Sequence, residues 1–188
     1  MTHPLLVLGI DPGLANTGYA LVRQAGDRCE PLLHGQLNMA TWKLKAMEEQ
    51  WLSLFASLQP LVQGGAFEGE RWPVPHALAI ERFHGRGVPI SGVTERMSGL
   101  VGCLAALGMV PPYPVVELYA PSAWHQDLCG ASAVDCEVKR WVHQQLNAHI
   151  LTYPVKALPG YHNIDALGIA CTLLDQLRST GAMQRRLA

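Results

Sequence analysis

The 188-residue sequence has no CxxC pair among its five cysteines and almost no charge imbalance, with Lys+Arg 14 against Asp+Glu 15. It also has no apolar run approaching the roughly 18 residues of a membrane-spanning helix, which excludes a helical membrane protein. Met1 to Gly9 is apolar but lacks a basic flank and a small-residue cleavage site, so it reads as a buried strand rather than a secretion signal. Cys29, Cys103, Cys129, Cys136 and Cys171 are odd in number, which suits a reduced cytoplasmic compartment better than a disulfide framework. His125, Cys129, Cys136 and His143 match no common finger spacing, so a zinc site is the lesser reading. A net charge of −1 gives no basic excess of the kind common in nucleic-acid-binding proteins. It does not exclude them, because a metal cancels the acidic residues around it. What counts is whether the basic residues share a face.

What is present is a globular composition, 49% hydrophobic and 15% charged. Leu5 to Ile10 is a continuous apolar run that stops at Asp11-Pro12-Gly13, the pattern of a buried central strand followed by a turn. Thr17 to Val22 and about Pro31 to Leu37 read as two further strands, giving an antiparallel meander. Leu44, Met47, Trp51, Leu54, Phe55 and Leu58 recur at spacings of three and four and predict a helix ending before Pro60. Gln63 to Pro75 reads as a loop, His76 to Phe83 as a strand and His84 to Pro89 as a basic, glycine-rich loop. Ser91 to Leu107 is a second helix and Val115 to Tyr119 a fifth strand. A short helix follows from Pro121 to near Gly130, and a capping box at Ser132 opens another to about Asn147. A last helix begins near His162, and residues 179–188 form a frayed tail. The order predicts one α/β domain over 1–188, with a five-stranded mixed sheet flanked by helices.

Four residues stand where chemistry is expected. Asp11 and Glu81 interrupt apolar strands, where a carboxylate is costly unless something pairs with it, and a divalent cation is the natural partner. His162 and Asp165 lie three apart at the start of a helix and reach one place together. Carboxylates with one imidazole suit Mg²⁺ or Mn²⁺, and two such ions ~3.5–4 Å apart clamp a phosphodiester for in-line attack. Singly, each residue has an ordinary explanation: a turn, an edge position, a helix start, a charge complementing the helix dipole. Their order on one strand–helix plan favours the functional reading.

Leu8-Gly9-Ile10-Asp11-Pro12-Gly13 with Thr17-Gly18-Tyr19 closely resembles the opening motif of RuvC Holliday-junction resolvases. Ala79-Ile80-Glu81-Arg82-Phe83 resembles that family's second acidic motif, and the stretch from His162 to Ala170 resembles its third. Tyr119-Ala120-Pro121, Gly130 and the helix carrying Val138 resemble the segment between. The resemblance runs from about Leu6 to Leu174, and the first and third motifs are the specific ones. It implies a ribonuclease-H-like fold and a homodimer that cuts four-way DNA junctions in pairs with Mg²⁺ or Mn²⁺, two ions per site and no small-molecule cofactor. Asp11, Glu81, His162 and Asp165 carry over as catalytic and metal-binding residues, and Phe83 or His84 as the junction wedge.

One departure stands out. Where the family places two DNA-contacting lysines, this chain offers His125 and Asp135, with Lys139 and Arg140 a few residues on. DNA contact is therefore expected from Lys139, Arg140 and His143 and from the loop of Arg82, Phe83, His84 and Arg86, whose glycines suit a phosphate backbone. Such departures, with few lysines, mark a divergent member, cellular or phage-encoded. Met97, Leu100, Val101 and Leu104 form an apolar stripe that is either a dimer interface or core. Three rival readings are weaker: a sugar-kinase-like or actin-like ATPase, for which the chain is too short, a YqgF-like RNA-processing nuclease, whose chains are generally shorter and lack the long central helix segment, and a catalytically inactive junction-binding protein, against which the four candidate ligands argue.

Overall fold

A computed structural model of the chain describes residues 4–38, 46–82, 91–109, 115–129 and 161–180. Strands β1 (Leu6–Asp11), β2 (Asn16–Ala25) and β3 (Arg28–Asn38) form the expected antiparallel meander. Helix α1 (Met47–Gln63) leads to a hairpin, β4 (Gly65–Phe67) and β5 (Glu70–Trp72), and then to β6 (Ala77–Glu81). Helix α2 (Ser91–Gly108), strand β7 (Val115–Tyr119), helix α3 (Pro121–Cys129) and helix α4 (His162–Thr180) follow. The main sheet has five strands in the order β3-β2-β1-β6-β7, with β6 parallel to both β1 and β7. This is the mixed, five-stranded α/β arrangement that the sequence predicts.

Helices cover both faces of the sheet. Alternate residues of the central strands divide between two cores, as the two-residue strand period requires. Val7, Ala77 and Ala79 face α3 and α4, where they pack with Trp124, Ile164, Leu167 and Ala170. Leu8, Ile10, Leu78 and Ile80 face α1 and α2, where they meet Leu54, Leu58, Leu100 and Leu104. Burial on both faces explains why these strands read as continuous apolar runs rather than as alternating ones.

Four expectations need correction. Pro60 does not end α1, because the helix continues through it to Gln63. A proline inside a helix forfeits a backbone hydrogen bond, but here the final turn buries Leu61 and Val62 against the core. The segment from Gln63 to Pro75 is not all loop. Its β4–β5 hairpin turns at Glu68 and Gly69, both at positive φ (51° and 83°), the backbone of a type I′ turn. Glutamate is a poor choice there, and Tyr19 Oη compensates by donating a 2.5 Å hydrogen bond to Glu68 Oε1. Residues 179 and 180 belong to α4 rather than to a frayed tail.

The fourth correction concerns the Met97, Leu100, Val101 and Leu104 stripe. All four side chains are buried within one chain against α1 and the sheet. The stripe is core, and it is not available as a dimer interface. The helix expected from Ser132 to Asn147 and the tail from 181 onward lie outside the described residues.

Candidate active site

The register of the parallel strands brings two carboxylates together. Gly9 pairs with Ala79 and Ile10 with Ile80, so Asp11 and Glu81 each stand one residue further, at the carboxyl ends of neighbouring strands. Strand neighbours are spaced ~4.8 Å apart. By the two-residue alternation, Asp11 falls on the face of Val7 and Glu81 on the face of Ala77 and Ala79, the face that α4 covers. Ligand sites of α/β sheets commonly occupy this carboxyl end.

Two glycines let α4 lie directly on the strands. A Cβ at Gly9 would sit 2.1 Å from the carbonyl oxygen of Ala166, and one at Gly18 would sit 2.0 Å from that of His162. Gly18 also pairs across the sheet with Asp11. Any larger residue at these positions would lift the helix, so Gly9 and Gly18 of the opening motif are there for contact. Thr17, fully buried, ties down the intervening turn by accepting from the Gly13 N–H at 3.4 Å and donating to the Gly13 carbonyl at 3.3 Å.

The first turn of α4 consequently arrives at the end of β1. His162 Nδ1 donates a 2.5 Å hydrogen bond to Asp11 Oδ2, joining residues 151 positions apart. Asp165, one turn on, is only 6% exposed, and Asp11 only 5%. Entry to the helix passes through Tyr161 at φ 61°, an uncommon backbone for a side chain with a Cβ. Its carbonyl accepts from the amides of Ile164 and Asp165. Behind His162, the buried Asn163 Nδ2 donates to His34 Nδ1 at 3.4 Å. Burial lowers the His34 pKa below the usual imidazole value, consistent with a neutral ring accepting that bond.

Glu81 is positioned by a residue that the sequence reading did not single out. Trp124 Nε1 on α3 donates a 2.8 Å hydrogen bond to Glu81 Oε2. The only signal in the sequence was a lone tryptophan in a nine-residue helix that directly follows β7, the strand beside β6.

The donor set is all oxygen with one imidazole nitrogen, which suits a hard divalent cation such as Mg²⁺ or Mn²⁺. Two carboxylates buried near one helix start are also the arrangement that a cation stabilises. As they stand, the side chains are committed to each other: His162 to Asp11 and Glu81 to Trp124. Among the described residues, no three His, Cys, Asp or Glu side chains are already gathered around a common point. The residues fit the ion by the chemistry of their donor atoms.

Of the expected DNA contacts, Arg82 is described and exposed, directly after Glu81. Phe83, His84, Arg86, Lys139, Arg140 and His143 lie outside the described residues. His125, at the place of a family lysine, is half-buried on α3, its ring 3.9 Å from that of Trp124.

Known proteins match this chain along most of its length. The family model described as "Crossover junction endodeoxyribonuclease RuvC" matches residues 7–173. The protein of that name from Cereibacter sphaeroides is 26% identical over 182 residues, covering 97% of this chain and 96% of its own. The one from Hyphomonas neptunium is 26% identical over 148 residues, 78% of this chain and 80% of its own. Among solved structures, Thermus thermophilus RuvC in complex with a Holliday junction substrate superposes with a TM-score of 0.73 at 21% identity, covering 94% of this chain and 96% of that one. The yeast mitochondrial Holliday junction resolvase Ydc2 gives a TM-score of 0.61 at 21% identity, over 100% of this chain and 87% of its own. At such identities the structures establish the shared ribonuclease-H-like fold, while the family match establishes the activity and its dependence on a divalent metal. The chain belongs to the RuvC family of crossover junction endodeoxyribonucleases.

Proposed function

We propose that this chain resolves four-way DNA junctions by hydrolysing phosphodiesters at the corner formed by Asp11, Glu81, His162 and Asp165. The observation that carries the reading is the meeting of the β1 end with the α4 start through the Asp11–His162 hydrogen bond, beside the in-register Glu81. The three carboxylates and the imidazole would hold Mg²⁺ or Mn²⁺, two ions per site. When bound, such ions supply a nucleophilic hydroxide and stabilise the charge developing on the scissile phosphate.

The chain's own part is positioning and proton handling. Gly9 and Gly18 fix the distance between strand and helix. Asp11 orients the His162 ring and sets which nitrogen carries the proton, so that the opposite ring nitrogen would be the one to reach the cation. Low exposure of Asp11 and Asp165 keeps water from competing for their oxygens. Arg82, which directly follows Glu81, would track the DNA backbone together with Phe83, His84, Arg86, Lys139 and Arg140, with Phe83 or His84 as the wedge.

The working unit is a homodimer of one ribonuclease-H-like domain per chain, acting in the cytoplasm. Paired cuts related by the junction's two-fold symmetry call for two sites in matching arrangement. Among the described residues, no helix is long and apolar enough to cross a membrane.

The test is nicking of a synthetic four-way junction with Mg²⁺, beside linear duplex DNA and structured RNA. Cleavage confined to the junction is expected. Equal cleavage of linear duplex, or preference for RNA, would overturn the reading.

A further inference from the structure

We infer that Trp124 is a positioning residue for the metal site, fixing the direction of the Glu81 carboxylate through its indole N–H. The inference rests on Glu81 being a metal ligand, as proposed above. Trp124 Nε1 donates to Glu81 Oε2 at 2.8 Å, and the side chain is fully buried. Its ring lies over Gly168 of α4 so closely that a Cβ there would be 2.5 Å from Trp124 Cζ3. Gly168 is three residues beyond Asp165, on the same face of the helix. One rigid indole therefore touches both the strand carboxylate and the helix that carries His162 and Asp165.

The chemistry of the contact suits a ligand holder. An indole N–H is a neutral donor with no acceptor capacity, so it occupies one lone pair of Glu81 and leaves its negative charge intact. Glu81 ends a strand and has no helix of its own to restrict its rotamers, so an unpinned side chain would lose conformational entropy on binding metal. Trp124 has already imposed that cost during folding. Groups that orient metal ligands in this way typically contribute 10–100-fold in metal affinity or activity.

The experiment measures Mn²⁺ binding by electron paramagnetic resonance for the wild type, Glu81→Ala and Trp124→Phe, with thermal melting of each. In parallel, the Mg²⁺ concentration for half-maximal junction cleavage is determined. Because phenylalanine leaves a gap, a second variant replaces the Trp124 indole with its benzothiophene analogue, which keeps the shape and lacks the N–H. Both Trp124 variants are expected to weaken Mn²⁺ binding about 10-fold or more and to raise the half-saturating Mg²⁺ in proportion. Cleavage at saturating metal should return to within a few-fold of wild type, and junction affinity without metal should not change. If Glu81→Ala binds Mn²⁺ as the wild type does, the assignment of Glu81 as a ligand fails. If Glu81→Ala weakens binding while the folded benzothiophene variant binds as the wild type does, Trp124 is structural only and the inference is overturned.

Discussion

His162 Nδ1 and Asp11 Oδ2 are 2.5 Å apart, so the imidazole that opens α4 and the carboxylate that ends β1 act as one unit. Neither can be moved without disturbing the other, and both sit where β1 ends and α4 begins. His162→Ala should slow single-turnover junction cleavage at least ~100-fold, the scale of a lost acid–base group. His162→Asp should retain the most activity of any substitution there, because it restores an oxygen donor. Activity within a few-fold of wild type in His162→Ala would make the pair structural.

Gly18 sets the approach of that helix. In Gly18→Ala the new Cβ would stand 2.0 Å from the His162 carbonyl oxygen, and backbone cannot yield as a flexible side chain does. The start of α4 should shift away from β1, lowering cleavage by about 100-fold, as misplacement of ~1 Å can do, and lowering the melting temperature. Gly102 on α2 has nothing within 4 Å of the equivalent position, so Gly102→Ala should leave both unchanged or raise stability slightly. Equal behaviour of the two variants would refute the close-contact role of Gly18.

Much of this was legible beforehand because the two periods were clear. Apolar strands broken by Asp11 and Glu81 mark the sheet, and the three-residue spacing of His162 and Asp165 marks the helix end. What the chain did not disclose depends on three-dimensional neighbours. Pro60 looked like a helix stop because local rules omit the burial of Leu61 and Val62. The Glu68-Gly69 turn was hidden because glutamate is uncommon at positive φ, and its partner Tyr19 is 49 positions away. Trp124 was hidden for the same reason, since its partner Glu81 is 43 positions away.

The α2 stripe shows how a one-dimensional pattern leaves two readings open, since an apolar helix face fits core and interface equally. Leu100 is 2% exposed within a single chain. Leu100→Asp should therefore destabilise the fold by about 3 kcal/mol or more, seen as a large fall in melting temperature or as insoluble protein. A well-folded, monomeric Leu100→Asp protein would return the stripe to the dimer interface.

His34 supplies a pH dependence whose sign is fixed. Burial lowers its pKa in the folded state, so as pH falls the unfolded chain takes up a proton before the folded one does. The stability it contributes is fully present above the unfolded pKa of about 6.5 and is lost as pH falls toward the lower folded value. His34→Gln, compared with wild type by urea unfolding across this range, should show a shallower loss of stability toward acid. A steeper loss would contradict the assignment.

The most direct measurement compares wild type and Asp11→Asn on a synthetic four-way junction, scoring cleavage with Mg²⁺ and binding without it. Asparagine keeps the volume of Asp11 and removes its charge, so the account predicts no detectable nicking by Asp11→Asn and junction affinity near that of the wild type. Nicking by Asp11→Asn at a rate close to wild type would contradict a metal-dependent centre built on the end of β1.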